Sequence, residues 1–301
     1  MSYKERIISR KDVWEKLKDP KSESRKVLSL ANSLGYLIHL RHNYFNIYYR
    51  GISMLKISFD RNAMPVYYVS KGYFSEEDPN SGELLKLLHN KPSDYFSCMK
   101  KIMDGWSKRS RHRHNEKETQ QRINKDNFSP ADSDYTVIDL EYAIGKDFPF
   151  CLSEEYKVQY KRDHKGKAPG APRYDIVAID NENHQLVVFE LKDGNGATLG
   201  SAGVKEHAEK FENSLGKDKD RCFVKEMSAM VKQLQELGLL DDKIQVNTDL
   251  SAKFMFIFRG SPKEKKTFED TNRETLKIYH PYIYLNRDDA NREESSKLIK
   301  P

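Results

Sequence analysis

The spacing of apolar side chains changes several times along this chain, and the changes divide it. Residues 11–19 and 22–40 carry apolar positions near the helical period, the second through Val27, Leu28, Leu30, Ala31, Leu34, Leu37 and Ile38, so both are predicted as helices, with Gly35 weakening the second. The period then drops to two. Residues 44–50, 52–59 and 66–69 predict two or three strands, with Gly51 as a turn or bulge and residues 62–65 as a second turn. Helices are predicted again over 81–89 and 93–106, which makes the first hundred or so residues an α+β region.

Residues 107–125 form the most basic run, with Lys108, Arg109, Arg111, His112, Arg113 and His114, and lead into a helix ending near Asn127. A strand is predicted over 135–144, a further strand within 148–160, and a basic loop over 161–172. Helices over 204–215 and 223–239 and a short apolar strand over 253–258 follow. Residues 276–285 predict one edge strand, because Pro281 cannot donate to a ladder. The last dozen residues are expected to be disordered, and no internal repeat is present.

Between these elements lies the most informative stretch. Arg-Tyr-Asp-Ile-Val-Ala-Ile-Asp from Arg173 and Gln-Leu-Val-Val-Phe-Glu-Leu-Lys-Asp-Gly to Gly194 flank the polar turn Asn-Glu-Asn-His. Two β-branched runs about such a turn predict a hairpin. Folding it between Glu182 and Asn183 sets Ile179 opposite Leu186, Val177 opposite Val188 and Asp175 opposite Glu190. Lys192 follows Glu190 on the same face by the two-residue alternation.

Opposed carboxylates destabilise a sheet unless something neutralises them. A hard divalent cation does so: Mg²⁺ is commonly held by one or two carboxylates plus waters and phosphate oxygens. Asp175 and Glu190 are therefore the candidate metal ligands, with the Leu191 carbonyl as a third oxygen, and Lys192 as the residue assisting an attacking water. The competing reading is a surface hairpin with charged ends. Ile176, Ala178, Val187, Phe189 and Leu191 count against it, because they make the other face apolar too, as in a buried central strand.

Asp175, fourteen intervening residues and then Glu190-Leu191-Lys192 at the end of an apolar strand resemble the active-site signature of the PD-(D/E)xK, or restriction-endonuclease-like, nuclease superfamily. The surrounding helix, strand, hairpin, helix and strand resemble its core over roughly residues 113–260. Tyr174 stands where the signature's proline would precede the aspartate, and Pro172 lies nearby. The resemblance implies an α/β fold: a restriction-endonuclease-like core with a mixed central sheet flanked by helices, beside the α+β amino-terminal domain. It also implies a Mg²⁺- or Mn²⁺-dependent hydrolase cutting phosphodiester bonds of DNA. In such a core the first helix carries a glutamate near the metal, matched here to Glu118 ahead of Glu116. The helix after the Glu-Leu-Lys strand supplies a polar residue, matched to His207. The alternative function is a non-catalytic nucleic-acid- or protein-binding module that keeps the fold.

The expected division is 1–106 for the amino-terminal domain, 107–260 for the core and 261–301 for a carboxy-terminal extension. The net charge of +6 and a pI near 8.9 favour an anionic partner, a nucleic acid first, with a homodimer as the assembly considered. No window reaches the ~18 consecutive apolar residues of a membrane span, and Met-Ser-Tyr-Lys-Glu-Arg lacks the apolar core of a signal peptide. A cytoplasmic location is expected. Cys98, Cys151 and Cys222 are scattered, with no CxxC pair, so neither a disulfide framework nor a thiolate zinc site is indicated.

Several features carry two readings. The basic run at 107–125 suits phosphate neutralisation or a solvated charge run, and its HxH is assigned no ligand role. Tyr44, Phe45, Tyr48, Tyr49, Tyr67 and Tyr68 read first as strand formers and core, with base stacking as the alternative. Asp139 and Glu141 share a face as an edge strand's polar side or as extra carboxylates. The loop over 161–172 could contact a nucleic-acid backbone. The glycine-rich loop over 193–203 matches no nucleotide-cradling pattern and reads as a mobile lid or a close approach to substrate.

Overall fold

The computed structural model describes residues 5–70, 72, 74–75, 77–109, 115–131, 133–144, 152–194, 203–279, 281–286 and 296–301. The basic residues 110–114, most of the glycine-rich loop and the segment 145–151 lie outside them, as does 287–295. The protein is mixed α/β with two sheets flanked by helices. It divides into two compact units, Glu5–Gln121 with Ala229–Lys243, and Arg122–Ser228 with Ile244–Pro301.

The amino-terminal unit begins with α1 (Lys11–Lys18), α2 (Glu23–Ser33) and the strands β1 (Leu37–Arg41), β2 (Tyr44–Tyr49), β3 (Ile52–Phe59) and β4 (Pro65–Tyr68). Helices α3 (Ser81–Asn90) and α4 (Pro92–Arg109) follow. The strands form an antiparallel sheet in the order β1-β2-β3-β4. Phe45, Ile47, Leu55 and Ile57 are fully buried. On the polar side Lys56 Nζ lies 4.3 Å from the Tyr44 ring centroid and 5.5 Å from that of Tyr68.

The apolar spacing predicts one long helix over 22–40, but the chain ends α2 at Ser33 and starts β1 at Leu37. Gly35 is the cause. At φ +74° it takes the left-handed conformation that closes helices. Tyr36 N donates to Ala31 O at 3.0 Å and Gly35 N to Asn32 O at 2.9 Å, the paired bonds of a Schellman motif.

From α5 (Asn115–Asp126) the chain enters β5 (Tyr135–Ala143), α6 (Glu154–Asp163), β6 (Arg173–Asp180) and β7 (Leu186–Asp193). It continues through α7 (Val204–Glu212), α8 (Cys222–Glu236), β8 (Lys253–Gly260), α9 (Pro262–Thr271), α10 (Arg273–Ile278) and β9 (Ile283–Asn286). The second sheet runs β5-β6-β7-β8-β9. It is antiparallel from β5 to β7 and parallel from β7 to β9. The hairpin pairs as expected from its turn, Ile179 with Leu186 and Val177 with Val188.

One face of this sheet packs Ile176, Ala178, Val187, Phe189 and Leu191 with Ile123 of α5 and Leu298. The other face meets α7 and α8: Phe211 stacks on Phe254 at 5.1 Å, and Phe223 meets Tyr142 edge-on at 4.9 Å.

Three further expectations fail. Part of the strand expected within 148–160 is helix α6, because Ser153 caps it by accepting from Tyr156 N, and Tyr156 and Tyr160 sit one helical repeat apart on its buried side. The single edge strand expected over 276–285 is split: α10 takes its first residues and β9 its last, with Pro281 between them. Residues 296–301, expected to be disordered, are held in place. Leu298 is fully buried, its N–H donates to Asn127 Oδ1 at 2.7 Å, and Lys300 pairs with Asp180 at 2.9 Å. Among the described residues no helix is long and apolar enough to cross a membrane.

Candidate active site

Alternation along β7 sends Val188, Glu190 and Lys192 to the face that meets α7, while Val187, Phe189 and Leu191 enter the opposite core cluster. The parallel partner β8 sets Phe254, Phe256 and Phe258 level with Val188, Glu190 and Lys192. Glu190 and Lys192 therefore lie beside an aromatic wall, with side chains only 6% and 2% exposed. Their polar ends meet inside it: Lys192 Nζ donates to Glu190 Oε1 at 2.9 Å.

A second donor reaches the same oxygen from α7. Val204, Ala208 and Phe211 bury one side of that helix, and His207, one turn before Phe211, is directed at the sheet. His207 Nδ1 lies 3.0 Å from Glu190 Oε1, and because a carboxylate only accepts, Nδ1 carries the proton. Burial alone would push the Glu190 carboxyl up. The His207 hydrogen bond and the Lys192 charge outweigh it and hold the group below the usual carboxylate range. Glu190 is thus ionised at neutral pH.

The other carboxylate oxygen is treated differently. Glu190 Oε2 is buried and, among the described residues, has no hydrogen-bond partner. An unsatisfied buried polar atom costs about 1–3 kcal/mol, and more when it carries charge.

Asp175 sits where β6 and β7 part. Their ladder ends at Ile176 with Phe189, one pair short of Asp175 and Glu190. Beyond it the Asp175 side chain replaces the backbone: Oδ2 accepts from Leu191 N at 2.8 Å. Asp175 is only partly buried, so the site runs from an accessible carboxylate to an enclosed one.

Of the residues singled out from the sequence, Lys192 and His207 meet at Glu190 Oε1, while Asp175 lies on the neighbouring strand with its Oδ2 on the Leu191 N–H, so the contact seen at Leu191 is through its amide nitrogen and not the carbonyl expected to bind metal. Glu118 is placed in the amino-terminal unit, where Arg50 Nε and Nη2 meet its Oε1 at 3.1 and 3.0 Å. Asp139 is buried and accepts from the Leu140 N–H at 2.8 Å. Glu141 takes a positive φ of 51° beyond a bulge at Val137–Asp139, so the regular alternation that would set the two acids on one face is broken.

Two buried hydrogen bonds near the site were not expected from the sequence. Tyr142 donates its hydroxyl to Glu226 Oε2 at 3.1 Å, and the Tyr174 hydroxyl pairs with Ser214 Oγ at 2.8 Å. Neither has a local sequence signal, since each joins a strand to a distant helix or turn.

Could this group hold a divalent cation? The donors are hard oxygens, and the partnerless Glu190 Oε2 beside the peptide that Asp175 grips suits Mg²⁺ or Mn²⁺. Among the described residues no three His, Cys, Asp or Glu side chains converge on a metal position, so waters and substrate oxygens would complete the shell, as Mg²⁺ prefers. No protein-family model matches this chain, and neither a curated protein nor a solved structure shows significant similarity to it.

Proposed function

We propose that this protein is a divalent-metal-dependent nuclease of the restriction-endonuclease-like kind, hydrolysing phosphodiester bonds of DNA. The observation that carries the reading is the buried Glu190 carboxylate, whose Oε1 receives both His207 and Lys192 while Oε2, among the described residues, has no hydrogen-bond partner. An oxygen of this kind is available to a hard cation, which accepts carboxylate ligands. Asp175 and Glu190 would hold the ion, which supplies charge stabilisation at the phosphate and a more acidic water.

The chain's own residues do the rest. His207 fixes the Glu190 carboxylate through Oε1, which reserves Oε2. Lys192 donates to Glu190 Oε1 at the floor of the site and would orient an attacking water. Phe254, Phe256 and Phe258 line the adjacent strand and keep bulk water from that side. Water adds across a P–O ester bond, leaving a phosphomonoester on one fragment and a hydroxyl on the other.

A second reading, a non-catalytic binding module, draws on the direct Lys192–Glu190 pair, which neutralises the carboxylate without any metal. Incubation with plasmid, linear duplex and single-stranded DNA in Mg²⁺ or Mn²⁺ separates the two. The nuclease reading predicts metal-dependent cleavage abolished by Asp175→Ala and by Lys192→Ala. Cleavage that survives both substitutions refutes the site, and metal-insensitive binding without cleavage favours the module.

A further inference from the structure

We propose that α6 and the segment joining it to β6 form a phosphate-tracking strip, which grips the backbone of a DNA substrate on one side of the scissile bond. The choice of ligand rests on the nuclease reading. The strip itself rests on charge, exposure and bracing.

Lys161, Arg162, Lys165, Lys167 and Arg173 are all exposed, and among the described residues none of them sits in an ion pair. Over 161–173 the only carboxylate is Asp163, which accepts from Gln159 at 2.8 Å. Basic residues in a last helical turn are ordinarily explained by the helix dipole. That explanation covers Lys161 and Arg162 but stops where the helix does. Lys165 and Gly166 then turn the chain with φ of 53° and 82°, and the cations continue through Lys167 to Arg173. Arg173 stands two residues before Asp175 on β6, a separation of about 7 Å along a strand. A basic path therefore runs from the helix to the candidate metal ligand.

The strip is also fixed to the catalytic elements. Tyr160, on the buried side of α6, donates to Glu206 Oε1 at 2.9 Å, and Lys210 Nζ meets the same oxygen at 2.8 Å. His164 stacks on Tyr160 at 3.8 Å. Glu206 precedes His207, so one turn of α7 holds the basic helix with one side chain and Glu190 with the next. A phosphate backbone bound along α6 is thereby held in a set position relative to Asp175 and Glu190, which is what orientation at a reacting phosphate demands.

The test replaces Lys161, Arg162, Lys165 and Lys167 by Gln in the full chain and leaves Arg173 and the site untouched. Fluorescence anisotropy with a labelled duplex in EDTA reads affinity without cleavage, at several salt concentrations. Hydrolysis of bis(4-nitrophenyl) phosphate in Mn²⁺ reads the chemistry without a nucleic-acid backbone. The strip predicts at least a tenfold loss of duplex affinity at moderate salt, and a slope of log K against log salt reduced by about 0.9 for each phosphate no longer neutralised. Hydrolysis of the small diester should be unchanged. Unaltered affinity and slope overturn the strip, as does a wild-type chain that binds no duplex. If wild type binds through the strip but hydrolyses neither substrate, the strip stands and the nuclease reading fails.

Discussion

The Glu190–Lys192 pair gives a prediction whose sign separates a functional site from a structural one. Both side chains are nearly inaccessible and their charged atoms are 2.9 Å apart. Replacing Glu190 alone by Met leaves the Lys192 ammonium beside Phe256 and Phe258 without that carboxylate. Removing one partner of a buried pair costs about 3–5 kcal/mol. For a unit of this size ~1 kcal/mol lowers Tm by about 2–4 °C, so the single variant should melt at least about 6 °C below wild type.

The double variant, Glu190→Met with Lys192→Met, removes both charges at similar volume. It should be neutral, or more stable than wild type by about 1–4 kcal/mol, because neither ion then has to be desolvated. It should also be inactive. Thermal melts followed by far-ultraviolet circular dichroism, together with a cleavage assay, read both quantities. A double variant as unstable as the single one would refute the reasoning, since the pair would then serve packing rather than a cation.

Three further outcomes follow from the same geometry. His207→Gln should lower cleavage by about 10–100-fold, the usual cost of losing a residue that orients a metal ligand, and should weaken Mn²⁺ affinity by a similar factor. At Asp180 burial alone would raise the carboxyl, but Lys300 and the backbone N–H groups of Glu182 and Asn183 hold it below its ordinary value. Its stabilisation is present above the unfolded carboxylate range near pH 4 and is lost as pH falls through the lowered folded value. Lys300→Ala should therefore move the acid-unfolding midpoint to higher pH, read by fluorescence at equilibrium. Gly35→Ala meets no atom within 4 Å but must hold φ +74°, so it should cost about 1 kcal/mol in urea denaturation.

The candidate site was legible because a short polar turn fixes the register of a hairpin, and register fixes which side chains share a face. Asp175, Glu190 and Lys192 follow from counting outward from Glu182 and Asn183. His207 followed only from its place in the next helix, and its aim at Glu190 depends on how Phe211 packs on Phe254, a contact between distant segments. The parting of β6 from β7 beyond Ile176 and the bulge at Val137–Asp139 were hidden, because period-two alternation does not reveal where two strands part or gain a residue. The misreadings in the fold share one physical source. Ser153 ahead of two glutamates is a helix start that the aromatic residues around it masked, and Gly35 is a helix stop that the apolar residues beyond it overran. The tail was misread because Leu298 and Lys300 gain their partners only across the folded unit.

The claim that Asp175 and Glu190 jointly grip one divalent cation is tested most directly by titrating Mn²⁺ into the full chain and reading free Mn²⁺ by electron paramagnetic resonance. The account predicts one saturable site in wild type that Asp175→Ala and Glu190→Met each abolish. Wild type that takes up no Mn²⁺, or uptake unchanged by both substitutions, contradicts it.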